Sequence, residues 1–273
     1  MEEDIENNDL LKNKIAIFPS TEYPQKCAWL IAKQLSSTIH QNGRATLALS
    51  GGSTPIAIYQ KLVQREKDSL DWQKVTFLLA DERLVENGHP ESLKNLALNN
   101  LFLPLQIKAE NQLLVDLNLP LIEAAKDYND KLEGHLSIQN GSMAKLSLVL
   151  LGVGEDGHFA SVFPGEQRLL AVPTKRRGAS DLIWLVDDLN LISTYKAPRL
   201  TLTPKVILNS EKVFVLINGE RKKEVVQRLF TTRNTITEED MLNFPALALK
   251  GKENVYWYLD EDAARNIQTG SLI

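Results

Sequence analysis

Residues 145–153 read KLSLVLLGV, the most hydrophobic run of the chain, and the glycine-dense turn GEDGHFASVFPG (154–165) follows it at once. A run that is apolar throughout, rather than alternating, describes a strand covered on both faces. KIAIFPS (14–20), ATLALS (45–50) and VTFLLA (75–80) precede it with the same character, and KVFVLING (212–219) and NVYWYLD (254–260) follow. Between these runs, residues 21–40, 56–67, 90–103, 120–136 and 220–230 carry apolar side chains at helical spacing, with Pro120 near the start of its helix. Further strands are predicted at 111–117, 181–187 and 199–203, and a weak terminal helix at 260–267. Strands alternating with helices predict an α/β fold: a doubly wound, mostly parallel sheet with helices on both faces. Residues 164–198, with TKRRG and YKAPR, have the least regular pattern and predict a small loop-rich flank or subdomain.

The 273 residues are 43% hydrophobic and 24% charged, with no Pro/Gly/Ser-rich linker, which suits one α/β domain over 13–273 behind a flexible acidic tail at 1–12. The formal charge of −4 means that an anionic ligand must be met by a local cluster of donors, and no nucleic-acid partner is expected. The start lacks the basic and apolar regions of a secretory leader, and no apolar run approaches the roughly 18 residues needed to cross a bilayer. The single cysteine, Cys27, cannot form an intrachain disulfide and is expected in the core; a cytoplasmic location and no membrane partner follow as expectations. No His/Cys/Asp spacing suits zinc, and neither GxSxG, Walker A nor GxGxxG occurs, so neither metal nor cofactor is expected.

In parallel α/β sheets, ligands bind beyond the carboxyl ends of the strands, where helix N-termini converge. Three unusual segments are predicted there. In Ser50-Gly51-Gly52-Ser53-Thr54-Pro55, two glycines let the backbone approach a ligand, and Ser53 and Thr54 offer hydroxyls ahead of a helix; a phosphate cradle and an ordinary capped turn both need these residues. Asp81-Glu82-Arg83 offers a guanidinium for a phosphate or carboxylate, with acids to orient it or a histidine; a solvated charge triplet reads the same way. His158, among Gly152, Gly154 and Gly157, can be presented to solvent with its tautomer fixed by Asp156, as an acid/base requires. His40 and His135 near helix ends, and His89 in a polar loop, are weaker candidates. Arg199, which opens RLTLT, reads equally as a surface arginine at the start of a strand.

Taken together, SGGSTP, DERLV (81–85), GVGEDGHFASVFPG (152–165) and RLTLT (199–203) resemble the 6-phosphogluconolactonase family, in the wider glucosamine-6-phosphate isomerase/deaminase-like group, over nearly the whole chain. The resemblance implies hydrolysis of the small-molecule phosphosugar lactone 6-phospho-D-glucono-1,5-lactone without a metal; the sequence leaves monomer and homodimer both open. His158 would then activate water, Arg83 and Arg199 would hold the phosphate with the Gly51–Thr54 loop, and Asp81 would help arrange the site. Three positions depart from the family pattern. Glu86 and Ser92-Leu93 replace the usual proline and Ser-Asn pair, with an asparagine only at Asn95; Phe159 replaces a threonine; and Lys196-Ala197-Pro198 shortens a proline run. A deaminase of the same fold and a non-catalytic sugar-phosphate sensor are the rival readings.

Overall fold

The structure, a computed structural model, describes residues 14–136, 145–170, 182–232 and 235–267, so the predicted tail and TKRRG at 174–178 lie outside the described residues. The strands in chain order are β1 (Ile15–Phe18), β2 (Ala45–Leu49), β3 (Val75–Leu79), β4 (Asp81–Arg83), β5 (Gln112–Leu113), β6 (Leu148–Leu151), β7 (Ile183–Val186), β8 (Arg199–Leu202), β9 (Lys212–Ile217) and β10 (Val255–Asp260). Seven of them form one sheet in the order β1-β10-β9-β6-β2-β3-β5, with every neighbouring pair parallel. The residues of β2, β3, β6 and β10 are all buried, the mark of a sheet covered on both faces. The helices are α1 (Tyr23–Asn42), α2 (Ser53–Arg65), α3 (Leu93–Ala97), α4 (Leu121–Leu136), α5 (Pro204–Leu208), α6 (Lys223–Thr231) and α7 (Glu238–Asn243).

The winding reverses once, and the site follows from that reversal. After β2 the chain builds outward through β3 to β5, then returns to lay β6 on the other side of β2 and continues to β9 and β10. β2 and β6 therefore flank the switch point, where the loops leaving them diverge and open a crevice.

Two tyrosines fasten helices to strand ends at this edge. Tyr59 of α2 donates its hydroxyl to Ser50 O (2.9 Å) and accepts from Ser50 N (3.2 Å). Tyr128 of α4 does the same at Leu79, donating to its O (2.9 Å) and accepting from its N (2.8 Å). The edge strand β5 reaches only as far as Leu78, where Leu113 is its partner, so the Tyr128 hydroxyl stands in for the strand that Leu79 lacks.

Several predicted boundaries are corrected. Residues 111–117 contribute only the two strand residues of β5, and residues 90–103 are not one helix but the short α3 followed by a π-helical turn, Leu98–Phe102. Asp81–Arg83 is not a loop. It is a strand of a separate three-stranded antiparallel sheet, β4-β8-β7, of which only β7 comes from the predicted flank at 164–198. Residues 261–267 are turns rather than a terminal helix, although the Asp260 carboxylate accepts from Ala263 N (2.8 Å) as a helix cap would, and from Gly219 N (3.0 Å) as well. α5 and α7 had no counterpart in the predicted elements.

Tyr128→Phe leaves Leu79 N–H and C=O buried without this partner, so unfolding in urea is expected to show a loss of about 1–3 kcal/mol. A midpoint unchanged from the parent would mean that the strand end does not depend on the hydroxyl.

Candidate active site

A cleft of about 470 Å³ opens at the switch point, lined by Ser50–Pro55 after β2, by Gly152–Asp156 and His158 after β6, and by Asp81–Arg83 and Arg199 of the small sheet. All three predicted segments thus meet in one place.

Gly52 takes φ +96° and ψ −177°, a backbone that a side chain would strain, and so turns the chain from β2 into α2. No side chain caps α2, which leaves its first-turn N–H groups and the positive end of its dipole toward the cleft. Ser53 and Thr54 line the cleft as predicted, but the Thr54 hydroxyl donates to Asn218 Oδ1 (2.5 Å) at the end of β9 and is not free to donate to a ligand.

His158 Nδ1 lies 2.6 Å from Asp156 Oδ1, which also accepts from His158 N (3.1 Å). The carboxylate therefore places the ring proton on Nδ1 and leaves the lone pair on Nε2. Burial alone would raise the Asp156 pKa, but the hydrogen bond and charge of His158 overcome it and hold the carboxyl well below its usual range. The packing allows no side chain at Gly154, where a Cβ would lie 2.1 Å from His158 Nδ1 and 2.6 Å from Asp156 Oδ1. At Gly157, with φ +88°, a Cβ would strike the Phe244 ring at 2.2 Å. The Phe163 ring closes the other side of the imidazole, 4.7 Å between centroids.

Arg83 and Arg199 are register partners on β4 and β8, so two guanidinium groups start from directly opposed residues. Like charges so placed repel unless an anion joins them. Arg83 Nη1 donates to Glu91 Oε2 (2.6 Å) and Glu91 O (2.9 Å). Arg199 is 2% exposed; its Nη2 donates to Thr194 Oγ1 (2.9 Å) and Tyr195 O (2.8 Å), while its buried Nε has no partner. Burial pulls the Arg199 pKa below its ordinary value, and the charge of Asp81 opposes that pull.

The acids behave differently from one another. Asp81 accepts from Ser161 Oγ (2.6 Å) and faces the cleft. Glu82 does not orient an arginine or a histidine side chain, as the triplet suggested. It is 1% exposed and accepts from Arg83 N (2.7 Å), Ser92 Oγ (3.1 Å), Leu93 N (2.8 Å) and Lys94 N (2.7 Å), tying β4 to the start of α3.

Sequence reasoning missed Lys222. Its Nζ donates to Val153 O (2.8 Å) and it lines the cleft, with burial lowering its pKa against the opposing charges of Glu155 and Asp156. The strand-glycine-helix pattern of KVFVLING and ERK was the available signal, since it repeats the β2-α2 junction. Ser161, Glu91, Ser193 and Thr194 were also missed. Among the described residues no three His, Cys, Asp or Glu side chains converge as a metal-ligand group, and no helix is long and apolar enough to cross a membrane.

The family described as glucosamine-6-phosphate isomerases/6-phosphogluconolactonase matches residues 20–257. The chain belongs to this family. It is 29% identical to a 6-phosphogluconolactonase of Nostoc sp., across 94% of this chain and 99% of the relative. Against the 6-phosphogluconolactonase of Rattus norvegicus the identity is 31%, across 92% of each. The solved 6-phosphogluconolactonase of Trypanosoma cruzi superposes with a TM-score of 0.72 at 28% identity, covering 94% of this chain and 98% of that one. Two of the three departures can be placed. Phe159 is fully buried, bridging Val153 and Val162, so that change falls in the core. Leu93 packs beside Gly51, where a Cβ would touch it at 3.6 Å. Asn95 does not replace the missing asparagine, because its amide is spent on Gly88 O (2.8 Å) outside the cleft lining.

Gly154→Ala is expected to displace the imidazole and lower any turnover that runs through His158 about 100-fold, with the circular dichroism spectrum unchanged. Parent-like turnover would show that the ring tolerates the shift. Because the Asp156 carboxyl is held below its unfolded value of 3.8, its contribution to stability is complete above that value and is lost as pH falls through the folded value. Asp156→Asn should therefore flatten the acid limb of a stability-pH curve; an identical limb would overturn the assignment.

Proposed function

We propose that this chain hydrolyses 6-phospho-D-glucono-1,5-lactone to 6-phospho-D-gluconate, the second step of the oxidative pentose phosphate pathway, in the cytoplasm. The observation that carries the reading is the His158-Asp156 pair facing a cleft whose other walls are an uncapped helix N-terminus and the opposed Arg83 and Arg199.

Three of the carboxylates in that cleft are already committed: Asp81 to Ser161, Glu82 to four donors, and Glu91 to Arg83. Asp156 is committed likewise to His158. What remains for a ligand is mostly donor capacity, from Arg199, the first turn of α2, the Ser53 hydroxyl, the rest of the Arg83 guanidinium and Lys222, set against two acceptors, the exposed Glu155 carboxylate and Asp156 Oδ2. A phosphate monoester matches that surplus.

With the phosphate held there, His158 Nε2 takes a proton from water as the water oxygen adds to the lactone carbonyl carbon. Asp156 steadies the imidazolium, and cleft donors meet the oxyanion. Collapse of the tetrahedral intermediate breaks the bond to the ring oxygen, which receives the proton from His158 and becomes the C5 hydroxyl; the new carboxylic acid ionises. A lactone carbonyl is reactive enough for this to proceed without a covalent nucleophile. Asp81, held by Ser161, places a negative charge that opposes the pull of burial on the Arg199 proton.

Hydrolysis of freshly generated lactone, corrected for its spontaneous opening, is expected to be accelerated by the parent. His158→Ala should lower kcat by roughly 10²–10⁴-fold. Arg83→Ala should chiefly raise KM, since phosphate binding serves ground and transition states alike. No acceleration by the parent, or ammonia release from glucosamine 6-phosphate in its place, would overturn the proposal.

A further inference from the structure

The loops that carry Glu91 and Tyr195 join at one point. Tyr195 Oη lies 3.3 Å from His89 Nε2, and their rings are 5.5 Å apart. His89 Nδ1 accepts from Glu91 N (3.1 Å), so the neutral ring carries its proton on Nε2 and donates it to the Tyr195 hydroxyl. From this contact a line of bonds runs to each arginine. On one side, His89 orders Glu91, whose carboxylate and carbonyl both hold Arg83 Nη1. On the other, the Tyr195 carbonyl holds Arg199 Nη2 beside Thr194. β4 and β8 align the two arginines only at the backbone; the side chains reach the cleft through these loops.

We propose that His89 and Tyr195 are positioning residues: their hydrogen bond ties the two loops so that Arg83 and Arg199 are held at the spacing of one phosphate group. Neither residue lines the cleft, so the pair acts on a ligand only through the arginines. The inference deepens the proposed function and rests on its assignment of the arginines to the phosphate. Holding two opposed cations before the ligand arrives lowers the ordering that binding must impose, and its loss should appear in affinity rather than in the chemical step.

Two substitutions cut the tie from opposite ends. Tyr195→Phe removes only the hydroxyl. His89→Asn keeps an acceptor for Glu91 N, as asparagine does in a turn, but no longer reaches Tyr195. Each variant is expected to raise KM for the lactone about three- to tenfold, the range of one hydrogen bond's net contribution, with kcat within about twofold. Calorimetric titration with inorganic phosphate should show the same loss of affinity. The double variant should be no weaker than the more affected single one, because both remove one contact. Unchanged phosphate affinity in both single variants, effects that multiply in the double, or a fall in kcat at constant KM would each overturn the tie. If the parent binds phosphate but does not accelerate lactone opening, the proposed reaction fails, and the titrations still decide the tie.

Discussion

A parallel sheet sends every strand's carboxyl end to the same edge, and that constraint organises this molecule. At that edge strands stop, helices begin, and backbone donors lose their regular partners. Where the winding reverses, between β2 and β6, no crossover covers the gap, and the first turn of α2 faces the glycine turn after β6 across open space. Unfilled donors and an accessible imidazole come from topology first and from residue identity second. The buried hydroxyls of Tyr59 and Tyr128 show how strictly the same accounting is kept elsewhere on this edge, since each satisfies both backbone groups of a strand-end residue.

Charge distribution in the cleft explains how a chain of net charge −4 can present the anion site proposed above. Counting signs along the lining would suggest an acidic pocket. Counting unspent hydrogen-bonding capacity shifts the balance toward donors, because Glu82 faces four protein donors and Asp81, Glu91 and Asp156 each have a dedicated partner, which leaves Glu155 as the exposed acid of the lining. Burial weakens the hold of Arg199 on its proton, and the unpartnered Nε shows that its donors are not all used within the protein. An arginine so placed is costly to leave without an anion, which is the physical sense in which the site is prepared for one.

The central strands and the three site segments were legible in the sequence because continuous apolar runs and glycine-rich junctions are local signals. Gly51 through Thr54, His158 and Asp156 occupy the predicted kind of turn. The small antiparallel sheet was not legible as such. Asp81–Arg83 looks like the tail of VTFLLA, and only pairing with residues more than a hundred positions later makes it a strand. The role of Glu82 was hidden for a different reason: its donors at the start of α3 are near in sequence, but only the fold of the intervening loop brings them to its carboxylate. Lys222 follows a strand-glycine junction like that of β2 and α2, but the junction alone does not say which cleft it faces. It reaches the cleft because β9 lies beside β6, an adjacency that no local pattern contains.

The departures from the family pattern can be ranked by where they fall. Phe159 exchanges a polar for a large apolar side chain at a fully buried position between Val153 and Val162, where a hydroxyl would need a partner and a ring gains packing. It supports the backbone from which His158 projects without touching the cleft. Leu93 differs, because it lies within the lining beside Gly51 and brings an apolar surface to the turn that leads into α2. An amide there could donate to a ligand, whereas a leucine can only exclude water. The α2 end of the cleft therefore offers backbone N–H groups and cations rather than a side-chain amide, and under the proposed reading the geometry of Arg83 and Arg199 matters correspondingly more in this chain.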